Sequence, residues 1–323
     1  MFVFLLIAAA LGVPIQADLH LDTPTQLHRK GLALDAPEGL EGGLAQLQAG
    51  GTNLAVQVLW PPRNADWWAH TQLLLEKITL EALRLESVEL ARTPGRARVI
   101  ADQGRTAYLI ALEGAHGLPE DWRGPLASLQ ARGLAILGLT WSMSNRFAGS
   151  SGDGGGGLTD EGRALVAHAR DLGVLLDLSH ASRQTTLEVC KDSPVPVIAS
   201  HSNAYGVQAH KRNLTDEEIR CIAATGGVIG LNFHATFVGG ARDIAAVADH
   251  ADYLARVGGH EVVALGSDFD GLIKTPQGLP DASAIPALWE ELARRGWTAQ
   301  QLQGVRGENF MRAWTAAMLY TAR

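Results

Sequence analysis

Apolar and polar positions follow two rhythms along this chain. Short runs rich in Val, Ile, Leu and Ala recur at 13–20, 53–60, 107–113, 134–141, 174–180, 195–201, 227–233 and 262–268. AVQVLW, AYLIALE, LAILGLTW, GVLLDLSH and PVIASH are near-continuous apolar stretches. Strands buried on both faces read this way, and such strands are typical of parallel sheets. Between them the apolar period lengthens to three and four. Leu73, Leu74, Ile78 and Leu85 mark a helix over 67–92, and others are expected over 159–172, 215–224, 242–257 and 284–295. The helix at 215 opens Thr-Asp-Glu-Glu, a capping hydroxyl followed by acids in the first turn. Eight strands alternating with helices predict an α/β fold, and eight units favour a closed (β/α)8, TIM-like barrel over an open sheet.

Length agrees with that choice. The chain has 323 residues, and one barrel needs roughly 250 plus loops. SSGDGGGG at 150–157 reads as a loop after the fourth strand, because the pattern resumes at once. The expected division is a leader over 1–17 and one barrel domain over 18–323. Residues 1–12, MFVFLLIAAALG, are long enough for the apolar part of an export signal and too short to span a bilayer. The segment has no Lys or Arg before its apolar run, and cleavage after Ala17 would remove part of the first strand. Export and a cytoplasmic location both remain open.

Composition narrows the partners. Hydrophobic residues make up 46% and charged residues 19%, as in ordinary globular proteins. A formal net charge of -7 disfavours a nucleic-acid partner, which needs a basic face. The two cysteines, Cys190 and Cys221, lie in helical contexts outside any zinc-finger spacing. They read as small core side chains, with a disulfide left open.

Chemistry in such a barrel gathers at the carboxyl ends of the strands. Here His20 and Asp22 follow the first strand, Glu113 ends the third, His180 the fifth, His201 the sixth and Asp268 the eighth. His28, His70, His168, His210 and His250 lie elsewhere and receive no role. Acids and imidazoles crowded at one mouth need a cation between them. A nitrogen and oxygen set without thiolate suits zinc, with manganese or cobalt as alternatives. His20 and Asp22, two apart on an extended segment, are expected to share a face and one ion. His180 and His201 would take a second, with Glu113 bridging. Such a pair would hold a hydroxide between them as nucleophile. Asp268 is placed to take the proton from that water and pass it to a leaving amine.

With those residues placed, the chain resembles the membrane (renal) dipeptidase family of the metal-dependent amidohydrolase superfamily. The resemblance rests on DLHLDTPTQL, ALEGAHGL, GLTDEGRALVAHARDLGVLLDLSHAS, PVIASHSNAYGV, KRNLTDEEI, GGVIGLNF, GSDFDG and GENFMRAW, in the family's order from about 18 to 314. It implies two zinc ions per chain on the five ligands above, Asp268 as the proton-transfer residue, and Arg212 of KRN as the group that binds the substrate carboxylate. It implies hydrolysis of dipeptides, including those with a C-terminal D-residue, and often a homodimer. One departure stands out. The family's mammalian members carry a histidine where this chain has Trp141, which alters the substrate-contacting wall. Asn145 nearby offers a polar contact, and Trp60 stands at the mouth or packs the next helix. The alternatives are an amidohydrolase acting on another amide or a lactam, and a catalytically silent metal-bearing binding protein.

Overall fold

The computed structural model describes residues 12–63, 65–191 and 193–320; most of the expected leader, 1–11, lies outside them. Strands β1 (Ala17–Leu21), β2 (Leu54–Leu59), β3 (Val88–Leu90), β4 (Thr106–Leu112), β5 (Leu134–Gly138) and β6 (Leu175–Asp177) form one parallel sheet in the order β1-β2-β4-β5-β6. β3 lies off this path, beside the first half of β4. β7 (Ile229–Leu231) and β8 (Val263–Leu265) form a second parallel pair. Single parallel bridges, Asp177 to Ile198 and Ala199 to Ile229, carry the curl from β6 to β7. A bridge from Leu21 to Phe269 and the bond from Asp268 N to His20 O join the end of β8 to β1. The result is the expected α/β barrel, with regular pairing over about half its circumference.

Two apolar clusters share the strands. Leu19, Val56, Val58, Leu109, Ala111, Ile136, Leu175, Ile198, Val228 and Ala264 come from all round the ring and form the lumen. Phe310 and Trp314 of the helix Asn309–Met318 join them. The other cluster packs Ala55, Leu59, Ile110, Leu112 and Leu176 against the surrounding helices. Side chains two apart on a strand share a face, yet Leu19 and Leu21 join different clusters. β1 shifts register against β2 between Asp18 and Leu21, and such an irregularity re-aims the following side chains.

Two expectations need correction. The helix expected over 67–92 spans Trp67–Arg84, and Leu85 turns extended into β3, whose Val88 and Leu90 alternate with period two. Its buried stripe is Leu74, Leu75, Ile78 and Ala82, while Leu73 and Leu80 are exposed. The sixth run, 195–201, forms no continuous strand. Ile198 N and Ala199 N keep ladder bonds to Leu176 O and Val228 O, but the donors on either side go elsewhere: Val197 N to Thr225 Oγ1 and Ser200 N to Asp177 Oδ1. Asp177 also takes Ser179 N, which helps to end β6 early, and Asp18 takes Ser267 N. Buried carboxylates thus replace ladder bonds at the carboxyl ends of the barrel. The expected cap at Thr215 is a full capping box with Glu218.

The last residues of the expected leader are built into the other end. Ile15 is buried, Gln16 N donates to Asn53, and Gln16 accepts from Trp289 Nε1. Cys190 is buried and Cys221 half-buried, both as free thiols. Among the described residues, no helix is long and apolar enough to cross a membrane.

Candidate metal centre

The five proposed ligands meet at one point. His180 Nε2 lies 2.9 Å from Glu113 Oε1, and His20 Nε2 and His201 Nε2 each lie 3.6 Å from the same oxygen. His20 Nε2 is 3.7 Å from Asp22 Oδ2, and the Nε2 atoms of His180 and His201 are 3.0 Å apart. All five residues are buried. Asp22 reaches the cluster by a route other than the one expected. It is not on the strand but at the N-cap position of the helix Thr23–Lys30, with φ -81° and ψ 20° and its carboxylate left out of any cap hydrogen bond. A tight strand-to-helix turn, rather than a shared pleat, brings it back beside His20.

Electrostatics argue that something is needed between these groups. Burial, then Asp268 and Asp270, pushes the Asp22 carboxyl well above its usual range. Burial, then Asp22 and Asp268, does the same to Glu113. Burial and then Arg212 hold His20 down at about 3 and His180 well below normal. Burial and then His20 act likewise on His201. Neither acids nor imidazoles are comfortable charged. His20 Nε2 is also a buried nitrogen with no hydrogen-bond partner among the described residues. Two ligands 2.0–2.2 Å from one tetrahedral ion lie roughly 3.3–3.6 Å apart, and the separations above bracket that spacing. The donor set therefore fits divalent cations: Glu113, His180 and His201 form one candidate group, and His20, Asp22 and Asp268 another.

Asp268 sits among them, buried, with Oδ2 accepting from Asn232 Nδ2 at 3.0 Å. Burial pushes its carboxyl up to about 7, against the pull of Asn232 and Arg212. Its backbone is left-handed, φ 68°, as are Asp270 at 65° and Leu272 at 60°. Each such residue costs roughly 1–2 kcal/mol. Gly271 fits between them because a Cβ there would lie 2.5 Å from Asp268 Oδ1. Strain of this kind persists where surrounding contacts impose it, often at functional sites.

A cavity of about 330 Å³ opens over the cluster. Arg212 lines it, buried, with Nη2 donating to His201 O at 3.4 Å. Its Nε and Nη1 have no hydrogen-bond partner among the described residues. Burial lowers its pKa to about 10, so it remains a cation at neutral pH. Trp141 also lines the cavity, with its ring 5.2 Å from Trp60 and the Arg63 guanidinium 5.5 Å away. Asn145 is used locally: it donates to Leu139 O and accepts from Phe147 N and Ala148 N, so it does not serve the cavity. Two ring-bearing lining residues, His234 and Phe237, were not singled out from the sequence. His234 stacks on Phe237 at 4.1 Å, and Phe237 lies 5.6 Å from the Arg212 guanidinium. His234 directly follows the seventh apolar run, so the strand-end rule applied there would have found it.

Known proteins repeat this architecture. A family model described as membrane dipeptidase (peptidase family M19) matches residues 11–323. The solved structure of dipeptidase AC, a metallopeptidase of family M19, is 26% identical and superposes with a TM-score of 0.88 over 96% of this chain and 100% of that one. A metallopeptidase from Rhodobacter sphaeroides, liganded with a phosphinate mimic of the dipeptide L-Ala-D-Ala, is 25% identical, with a TM-score of 0.86 over 94% and 99%. The probable dipeptidase PvdM from Pseudomonas aeruginosa shares the fold at 21% identity, with a TM-score of 0.87 over 94% and 95%.

Proposed function

Since the chain belongs to the membrane dipeptidase family, peptidase family M19, and is a metal-dependent dipeptidase, we propose that it works with two zinc ions, one held by His20, Asp22 and Glu113 and the other by Glu113, His180 and His201. The observation that carries this is Glu113 Oε1, within 3.6 Å of three imidazole nitrogens from three different strand ends. When bound, the ions supply an activated water and polarise the scissile carbonyl. The protein's own groups do the rest. Asp268 takes the proton that the attacking water loses and delivers it to the amine as the C–N bond breaks. Arg212 lines the cavity with Nε and Nη1 unpaired among the described residues, and a forked charge-assisted pair from it to the carboxylate of the dipeptide would set the register of the peptide bond. Trp141 and Trp60 wall the cavity with aromatic surface, so carbonyl stabilisation by a cationic side chain at that position is replaced by shape and one indole N–H.

The substrate mimic in the Rhodobacter structure supports dipeptides ending in a D-residue as substrates here. The test is a panel of L,L and L,D dipeptides, including several ending in D-Ala, given to zinc-loaded protein of known metal content. Cleavage with two zinc ions per chain is expected. A metal-replete protein that leaves every dipeptide intact, while opening another amide or a lactam, would transfer the assignment to that bond.

Arg212 gives a separate expectation. Arg212→Lys keeps the charge but loses the fork, and KM for a dipeptide should rise about 10–100-fold, the value of one or two charge-assisted bonds. KM for the matching dipeptide amide, which has no carboxylate, should change little. Steady-state kinetics on the two substrates check this, and equal losses on both would remove the carboxylate from Arg212.

A further inference from the structure

Behind the ligands lies a polar group that none of the roles above uses. Asp177 and Ser200 are buried, at 6% and 1% exposure. Asp177 Oδ1 accepts from Ser179 N at 3.0 Å, Ser179 Oγ at 2.7 Å and Ser200 N at 2.8 Å. Asp177 Oδ2 accepts from Ser200 Oγ at 2.5 Å. A carboxylate has no proton to give, so the Ser200 hydroxyl must be the donor in this last bond. Having spent its one proton, Ser200 Oγ can only accept from its other neighbours. Those are His201 Nδ1 at 2.8 Å, His20 Nδ1 at 3.1 Å and Ser179 Oγ at 3.2 Å, the last of which gives its own proton to Asp177 Oδ1. Both Nδ1 atoms must therefore carry hydrogen, and both Nε2 lone pairs are left to face Glu113.

We propose that Ser200, held by Asp177, is a positioning residue that sets the tautomer and ring angle of His20 and His201 together. The two imidazoles come from opposite half-sites, so one hydroxyl couples the affinities of both ions. This rests on the two-ion reading above. The third imidazole lacks an equivalent: His180 Nδ1 has Ser142 Oγ at 3.4 Å. The coupling is thus specific to the pair that Ser200 joins. His20, Asp177 and His201 also offer ligand atoms close enough for an ion of their own. Ser200 Oγ already lies within 2.5–3.1 Å of all three and fills that role as a hydrogen-bonded bridge.

The test compares Ser200→Ala, Ser200→Thr and Asp177→Asn with the unaltered protein. Zinc stoichiometry and affinity are read by chelator competition, and each metal-free protein is melted. Ser200→Ala should weaken both ions by roughly 10–100-fold, the usual effect of losing a partner behind a ligand. The metal-free variant should melt close to the unaltered metal-free protein, and Ser200→Thr, which keeps the hydroxyl, should restore affinity. In Asp177→Asn, three donors hold the amide oxygen at the Oδ1 position, which turns the NH2 towards Ser200. That NH2 occupies one Ser200 lone pair, and the hydroxyl proton turns to Ser179 Oγ, 3.2 Å away, or to an imidazole, so Ser200 can no longer accept from both Nδ1 atoms and affinity for both ions should again fall. That variant carries the test if Ser200→Ala does not fold. Unchanged affinity in either variant, loss confined to one ion, a folded Ser200→Thr no better than Ser200→Ala, or a third zinc in the unaltered protein would each overturn the proposal. Dipeptide hydrolysis is measured alongside. Unaltered protein that holds two zinc ions but cleaves nothing defeats the dipeptidase reading alone, because the affinity comparison still stands.

Discussion

Asparagine in place of Asp268 is expected to lower kcat by about 10²–10⁴-fold, the range for losing a positioned proton-transfer group. The fold and the two zinc ions should survive. Asparagine matches the carboxyl in shape, and its amide oxygen can still accept from Asn232 Nδ2, as Asp268 Oδ2 does at 3.0 Å. The backbone bond from Asp268 N to His20 O does not involve the side chain. A left-handed residue is also better tolerated as Asn or Asp than as most others, so φ 68° remains accessible. What asparagine cannot do is accept a proton. KM should stay within a few-fold, because Arg212 and the cavity walls still hold the dipeptide. Zinc analysis decides between two roles for this residue, since Asp268 also shares a candidate ligand group with His20 and Asp22. Full metal content with lost turnover identifies proton transfer. Lost metal with lost turnover makes Asp268 a ligand first. Variant protein that keeps normal turnover would leave it with neither role.

Much of this site could be read before any coordinates, for a physical reason. A parallel strand buried on both faces tolerates polar groups mainly where it ends, so His20, Glu113, His180, His201 and Asp268 stand out against their apolar runs. His234 obeys the same rule, one residue past the seventh run and directly behind Phe233. Other features were beyond any periodicity. β3 is only Val88–Leu90, too short for its period to separate from the helix before it. The sixth run has the composition of a strand, yet Asp177 draws away the amide of Ser200. Asp177 and Ser200 themselves sit inside apolar segments, where one polar residue reads as incidental until its partners are known. Asp22 was identified correctly as a neighbour of His20 but for the wrong geometric reason, since a helix cap rather than an extended pleat delivers it.

Removing the metal should cost stability, and the cost should grow as pH rises from 6.5 to 8. Ligands that bind only the folded state stabilise it by roughly 4 kcal/mol at a thousand times their dissociation constant. For a chain of 323 residues this is about 6 °C in the midpoint for one ion. The pH dependence follows from the displaced titrations. Burial raises Asp18 to about 6 and Asp268 to about 7, and lifts Asp22 and Glu113 well above their normal range. Acids raised in the folded state favour it while protonated, so metal-free protein loses stability as pH climbs through those values. The imidazoles act in the opposite sense. His20, His180 and His201 are lowered, so they penalise the folded state as pH falls, and this opposing slope fades within about one unit above 6.5. Towards pH 8 the acids set the trend, and metal-free protein should soften. Bound zinc reverses their effect, because ionised carboxylates are the form that ligates, and proton competition for the site fades over the same range. Calorimetry of metal-free and zinc-loaded protein at pH 6.5 and pH 8 should therefore show a gap in midpoint that widens with pH. A gap that narrows, or metal-free protein that stiffens towards pH 8, would mean that the buried acids are not held apart by repulsion and burial, and the case for cations between them would fail.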